Sequence, residues 1–243
     1  MMRIRPTLVA VTMLGTLIAG GCDSEDSSSE PAAAADSGGG KQDGVGDDGE
    51  SAGISLRFDM PALYEVSGVS SDDVLNVRAQ PTSSSDIVGE LAPDATDVEV
   101  VAIDATGRWA MVNVNETAGW ASLSFLEALD SAWEGNETPE HLNCLGTEPF
   151  WGLSVDGDTV RLSSPIGDDQ LSIEEVLVPA GFASGTPMRT ILASSEIQDG
   201  TVSITPGLCS DGASDMLYGL HVNVVLREEG INTSLGGCCS IAP

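Results

Sequence analysis

The chain has 243 residues, with 38 Asp and Glu against nine Lys and Arg, for a formal net charge of −29 at pH 7. No basic stripe is present to displace counterions from a phosphate backbone, which excludes nucleic acid as a partner. An anionic lipid surface would repel such a chain, so any membrane contact is expected to come from a covalent lipid anchor.

The N-terminus reads as an export signal. Arg3 and Arg5 supply a positive start, residues 8–19 form an apolar run broken only by Thr12, Gly15 and Thr16, and Ala19-Gly20-Gly21 lead into Cys22. The run is far short of the roughly 20 apolar residues that span a bilayer. Leu17-Ile18-Ala19-Gly20-Gly21-Cys22 resembles the lipobox of bacterial lipoproteins, with Ala19 where Leu is usual. The resemblance implies that residues 1–21 are removed and that Cys22 is acylated as the new N-terminus. The alternative is ordinary cleavage after Ala or Gly, with Cys22 a bystander. Either way the expected location is the cell envelope; with the anchor, it is the inner or outer membrane, facing the periplasm or the cell surface.

Residues 22–56 read as an acidic, disordered linker. Between residues 23 and 53 the chain is almost wholly Ser, Gly, Ala, Asp and Glu, with no aromatic residue. Such a segment cannot bury enough apolar surface to offset its ordering entropy. A flexible tether of about 30 residues has an r.m.s. span of roughly 30 Å.

Residues 60–130 read as short strands separated by turns, which indicates a small antiparallel barrel. Strands are expected at Val74-Leu75-Asn76-Val77-Arg78, at 87–91, at 98–103 and 108–114 across an Asp104-Ala105-Thr106-Gly107 turn, and at 117–121. Leu75-Asn76-Val77-Arg78-Ala79-Gln80-Pro81, then Gly107-Arg108-Trp109-Ala110-Met111-Val112, then Gly119-Trp120-Ala121 resemble the bacterial SH3 domain. The resemblance implies an SH3-like barrel of a kind that often binds peptidoglycan. Leu75, Val77, Val112 and Trp120 are expected to fill it. Asn76 and Arg78 alternate outward, either to meet a ligand or to bond within the following loop. Trp109 either offers a ring for stacking on a peptide or sugar or packs at the rim of the barrel, and Tyr64 is a weaker candidate for the same groove.

Residues 138–243 show seven strand candidates: 150–155 and 159–163 across an Asp156-Gly157-Asp158 turn, then 171–178, 188–193, 201–205, 220–226 and 231–235. Almost no helical periodicity is present, so a compact barrel or sandwich is expected. Cys144, Cys209, Cys238 and Cys239 read as two disulfides with three possible connectivities. On a strand, Cys238 and Cys239 point to opposite faces, so each would bond a different partner, one Cys144 and the other Cys209. A bridge from the last strand to Cys209 is expected to close the sheet. A zinc site is the weaker alternative, because the spacing lacks paired short loops.

Gly146-Thr147-Glu148-Pro149-Phe150-Trp151, Ile204-Thr205-Pro206 and Cys209-Ser210-Asp211-Gly212-Ala213-Ser214-Asp215, followed by Gly237-Cys238, resemble a domain of uncharacterised bacterial envelope lipoproteins. That resemblance implies no particular reaction. Glu148, Asp211 and Asp215 are the candidates for chemistry, and Asp beside Gly more often shapes a turn. There is no GxSxG elbow, no HExxH and no free Cys with a His partner, and His141 and His221 lie far apart. The expectation is an all-β, non-catalytic protein without metal or cofactor. It would bind peptidoglycan or, alternatively, scaffold or inhibit an envelope enzyme.

Overall fold

The computed structural model describes residues 54–55, 60–165, 167–182 and 185–243. The expected signal segment, Cys22 and the linker up to residue 53 lie outside them. Ile54–Ser55, at the end of the stretch read as linker, form strand β1, paired with Asp104 and Ile103. The paired chain therefore begins a few residues earlier than the linker reading places it.

Eight further strands build the first barrel: β2 (Ala62–Val66), β3 (Leu75–Arg78), β4 (Ile87–Leu91), β5 (Val98–Val100), β6 (Ala102–Asp104), β7 (Trp109–Val114), β8 (Thr117–Ser122) and β9 (Leu126–Ala128), with a 3-10 turn at Leu123–Phe125 before β9. They form a six-stranded sheet in the order β1-β6-β7-β8-β3-β4 and a three-stranded sheet in the order β5-β2-β9. The single strand expected at 98–103 divides at Val101. Its first half pairs with β2 and its second with β7, so this segment carries the chain from one sheet to the other.

Leu75, Val77, Val98, Val100, Ile103, Ala110, Val112, Val114 and Ala121 fill the space between the sheets. Gly119 faces the same core, where an added Cβ would lie 2.6 Å from Val77 and 2.8 Å from Val88. Trp120 does not join this core. It points to the other face of β8 and packs with Met111, Val101 and Ala102 against Leu208 and Leu217 of the C-terminal half. The small residues of β8 therefore fill the barrel, and its one large residue serves the contact with the second barrel.

The second barrel is an up-and-down meander of eight antiparallel strands closed on itself: β10 (Leu142–Thr147), β11 (Phe150–Asp156), β12 (Thr159–Ser164), β13 (Gly167–Leu177), β14 (Arg189–Ser194), β15 (Gln198–Cys209), β16 (Tyr218–Glu228) and β17 (Ile231–Ser240). Closure leaves this sheet without an edge. Leu142, Leu153, Val155, Leu162, Leu171, Ile191, Val202, Ile204, Leu220, Val222 and Val224 alternate inward and pack into one core. The eighth strand, β10, is absent from the seven-strand reading. Its inward positions are Leu142, Cys144 and Gly146, and an added Cβ at Gly146 would collide with the Trp151 indole nitrogen.

The disulfides are Cys144–Cys239 and Cys209–Cys238. Cys239 lies in the barrel core while Cys238 packs outside it with Cys209 and Tyr218, so adjacent residues do serve opposite faces. The bridge that locks the closing pair of strands is Cys144–Cys239, because Cys144 and Cys239 are register partners of β10 and β17. Cys209 instead ties β15 to β17 across β16, which corrects the expectation that the Cys209 bridge closes the sheet.

All described residues fall within one compact unit. Asn113 on β7 holds the backbone of Leu217 from both sides, donating to its carbonyl at 2.7 Å and accepting from its N–H at 3.1 Å. Ala118 N–H donates to the Asp215 carbonyl at 2.9 Å, and Trp133 Nε1 to the Pro61 carbonyl at 2.9 Å. Glu99 on β5 accepts from Ser240 Oγ at 2.5 Å and from Ile241 N–H at 3.3 Å.

Burial of the Glu99 carboxyl raises its pKa to about 7, and the hydrogen bonds from Ser240, Ile241 and Ala242 offset only part of that rise. Tyr218 is the neighbouring titratable group; its pKa is raised by burial, then by the Asp211 and Glu99 charges. Because the folded pKa of Glu99 lies above its ordinary value, the folded state holds a proton that the unfolded state has released. The associated stability is fully present below about pH 4.5 and is lost as pH rises through 7. The group accounts for a loss of about 3 kcal/mol across that window. Glu99→Gln is expected to be more stable than wild type at pH 8 and level with it at pH 4.5. Urea melts at the two pH values check this; an unchanged difference between them would count against it.

Candidate functional site

β3 alternates strictly: Leu75 and Val77 are buried, Asn76 and Arg78 half-buried on the outer face. Across the sheet, Arg78 pairs with Trp120, Met111 with Trp120, and Trp109 with Ser122. The C-terminal barrel covers the Trp120–Met111 part of this face through Leu208 and Leu217. The part that remains open is a groove of about 460 Å³, whose lining includes Asp73, Asn76, Arg78, Trp109, Ser122 and Phe125.

Trp109, Arg78 and Asp73 are each placed by local bonding. Asp104 is buried at the β6–β7 turn and accepts the backbone N–H groups of Thr106, Arg108 and Trp109, with the Thr106 hydroxyl as a fourth donor. Burial pushes the Asp104 pKa up, but these bonds outweigh it and hold the carboxyl below its usual range. The result is a fixed start for β7 and a fixed backbone at Trp109. Arg78 donates from Nη1 to the Ser85 carbonyl at 2.7 Å, and Ser85 Oγ accepts the Gln80 N–H, so the loop after β3 is drawn closed. The local bonding expected of Arg78 is therefore present, and the same side chain also lines the groove. Asp73 Oδ1 accepts the Val74 N–H at 2.8 Å.

Three of the four ligand candidates named from the sequence, Asn76, Arg78 and Trp109, meet in this groove. Tyr64 does not line it; the residue is half-buried on β2, opposite Val98 and Ala128, and packs on the first core. Asp73 and Phe125 were not among the candidates. Phe125 sits in the 3-10 turn directly after the Gly119-Trp120 strand and is 40% exposed. An exposed aromatic residue in a turn is the one local signal that points to it.

The C-terminal motifs come together for structural reasons. Thr147 Oγ1 donates to the Asp211 carbonyl at 2.8 Å. The Asp211 carboxylate accepts the N–H groups of Ser214 and Ala213 and the Ser214 hydroxyl. The Ser214 and Ala213 N–H bonds hold its pKa below the usual carboxylate range. Asp211 is thus a turn-former, and Asp215 contributes its backbone to the contact with β8. Glu148 lies exposed in the β10–β11 turn, and His141 and His221 are exposed on the second barrel. Among the described residues no three His, Cys, Asp or Glu side chains gather as a metal would require.

An SH3-like barrel with an open groove of aromatic, amide and charged side chains defines a small recognition module. Residues 73–127 match the family model of the bacterial SH3 domain, which points to a module that binds proteins or the cell wall. No curated protein and no solved structure matches the chain.

Proposed function

We propose that this protein is a non-catalytic cell-envelope lipoprotein, anchored through Cys22, whose SH3-like barrel holds peptidoglycan or a cell-wall peptide in the Trp109 groove. The observation that carries the reading is the convergence of Asn76, Arg78 and Trp109 in one open groove within the segment that matches the bacterial SH3 domain. Trp109 and Phe125 offer ring surface for stacking, Asn76 and Ser122 offer hydrogen bonds, and Arg78 suits a carboxylate. Such a shallow polar site fits an abundant, immobile ligand, for which modest affinity and a tether suffice.

Co-sedimentation with purified sacculi tests this. The protein is expected in the pellet, and Trp109→Ala is expected to weaken retention about tenfold. Absence of wild-type retention would sink the reading. A second reading, a scaffold or inhibitor of an envelope enzyme, draws on Phe150, which stands 68% exposed next to the β10–β11 turn. Co-purification of a partner protein without any wall component would favour it.

A further inference from the structure

The groove carries one charge of each sign. Asp73 and Arg78 both line it, and among the described residues neither takes part in an ion pair. Each is oriented by a single bond to the backbone, Asp73 Oδ1 from Val74 N–H and Arg78 Nη1 to the Ser85 carbonyl. Asp73 Oδ2 and the Nε and Nη2 groups of Arg78 are left to face a ligand. Trp109 and Phe125 line the same groove, and aromatic faces favour a cation placed over them.

From this we infer that the groove selects a zwitterionic ligand. An ammonium would lie beside Asp73 and the Trp109 and Phe125 rings, and a carboxylate against Arg78. The inference rests on the reading of this groove as a peptide site and narrows the peptide chemistry it takes. The charge of the whole chain argues in the same direction. At −29 the protein repels a purely anionic ligand, and a purely cationic one would be drawn to carboxylates anywhere on the surface. A ligand with both charges gains from both at once where an unpaired cation and an unpaired anion line one groove, as Arg78 and Asp73 do here. Both contacts are charge-assisted, the arrangement in which hydrogen bonds are strongest.

The probe is a synthetic tetrapeptide acetylated at its N-terminus, with one lysine and no other charged side chain, in four forms: otherwise unmodified, acetylated on the lysine amine, amidated at the C-terminus, and modified at both positions. Titration into the full-length detergent-solubilised protein is expected to show about a tenfold loss of affinity for each single modification. In Asp73→Asn the penalty for acetylation is expected to vanish while the penalty for amidation remains. Because Arg78 also holds its loop, the amidated peptide rather than an Arg78 variant tests the cationic end. Equal binding of all four forms would overturn the inference and leave the peptide reading standing. Failure of every form to bind would overturn both.

Discussion

Arg189→Met is expected to destabilise the protein by about 3–5 kcal/mol, because several backbone carbonyls lose a charged donor at once. At about 2–4 °C per kcal/mol for a unit of this size, the melting temperature falls by roughly 10 °C. Arg189 is 2% exposed at the start of β14, and among the described residues no carboxylate partners it. Its donors instead meet five backbone carbonyls: Nε to Glu137, Nη1 to Thr186 and Met188, and Nη2 to Trp133 and Gly135. The guanidinium also lies 5.3 Å from the centre of the buried Trp133 ring. One side chain therefore ties residues 133–137 and 186–188 across the mouth of the second barrel. Burial lowers its pKa, yet the group stays charged far above neutral pH. Met fills much of the volume but leaves five carbonyls without their donor. Arg189→Lys restores the charge and not the planar fork, so most of the loss is expected to persist. Urea denaturation of the three proteins measures the effect; a difference under 1 kcal/mol for the Met variant would contradict this account.

The second large effect is expected on removing Cys144–Cys239. The bridge closes a loop of 95 residues, for which chain entropy predicts about 4.7 kcal/mol, against about 3.6 for the 29-residue loop of Cys209–Cys238. Cys239 is fully buried and Cys144 nearly so, so truncation to Ala also leaves a gap in the core. The double variant Cys144→Ala/Cys239→Ala is therefore expected to lose more stability than Cys209→Ala/Cys238→Ala. The second pair is equally buried, in a smaller cluster with Tyr218, Leu145 and Met216, so the expected order rests on loop length. Denaturation curves of both double variants decide the order, and a reversed order would refute it.

Much of this architecture is legible in the sequence because it is local. Strict alternation sets Leu75 and Val77 against Asn76 and Arg78, and the adjacency of Cys238 and Cys239 forces their bridges apart. Asp156-Gly157-Asp158 reads as a turn, and Gly157 does adopt a φ of 55° between β11 and β12. Trp120 was less readable, since alternation shows that a residue shares a face with its neighbours but not which body covers that face. Leu208 and Leu217, some 90 residues away, decide it. Strand β10 was hidden because Cys and Gly stand at inward positions where Val or Leu would announce a strand. Arg189 is the opposite case: it lies in phase with inward Ile191 and Ala193. An arginine at such a position signals a buried, fully bonded cation, and that phase relation was available from the sequence. In the groove, Asn76, Arg78 and Trp109 follow from β-alternation. Asp73 and Phe125 lie outside regular strands, so no period points to them.

The central claim is that the Trp109 groove is where this protein meets its ligand. An amide-resolved NMR titration with soluble peptidoglycan fragments tests it most directly. Shift changes concentrated at Asn76, Arg78, Trp109, Ser122 and Phe125 are the predicted result. Changes confined to the second barrel around Phe150, or none at all, would contradict it.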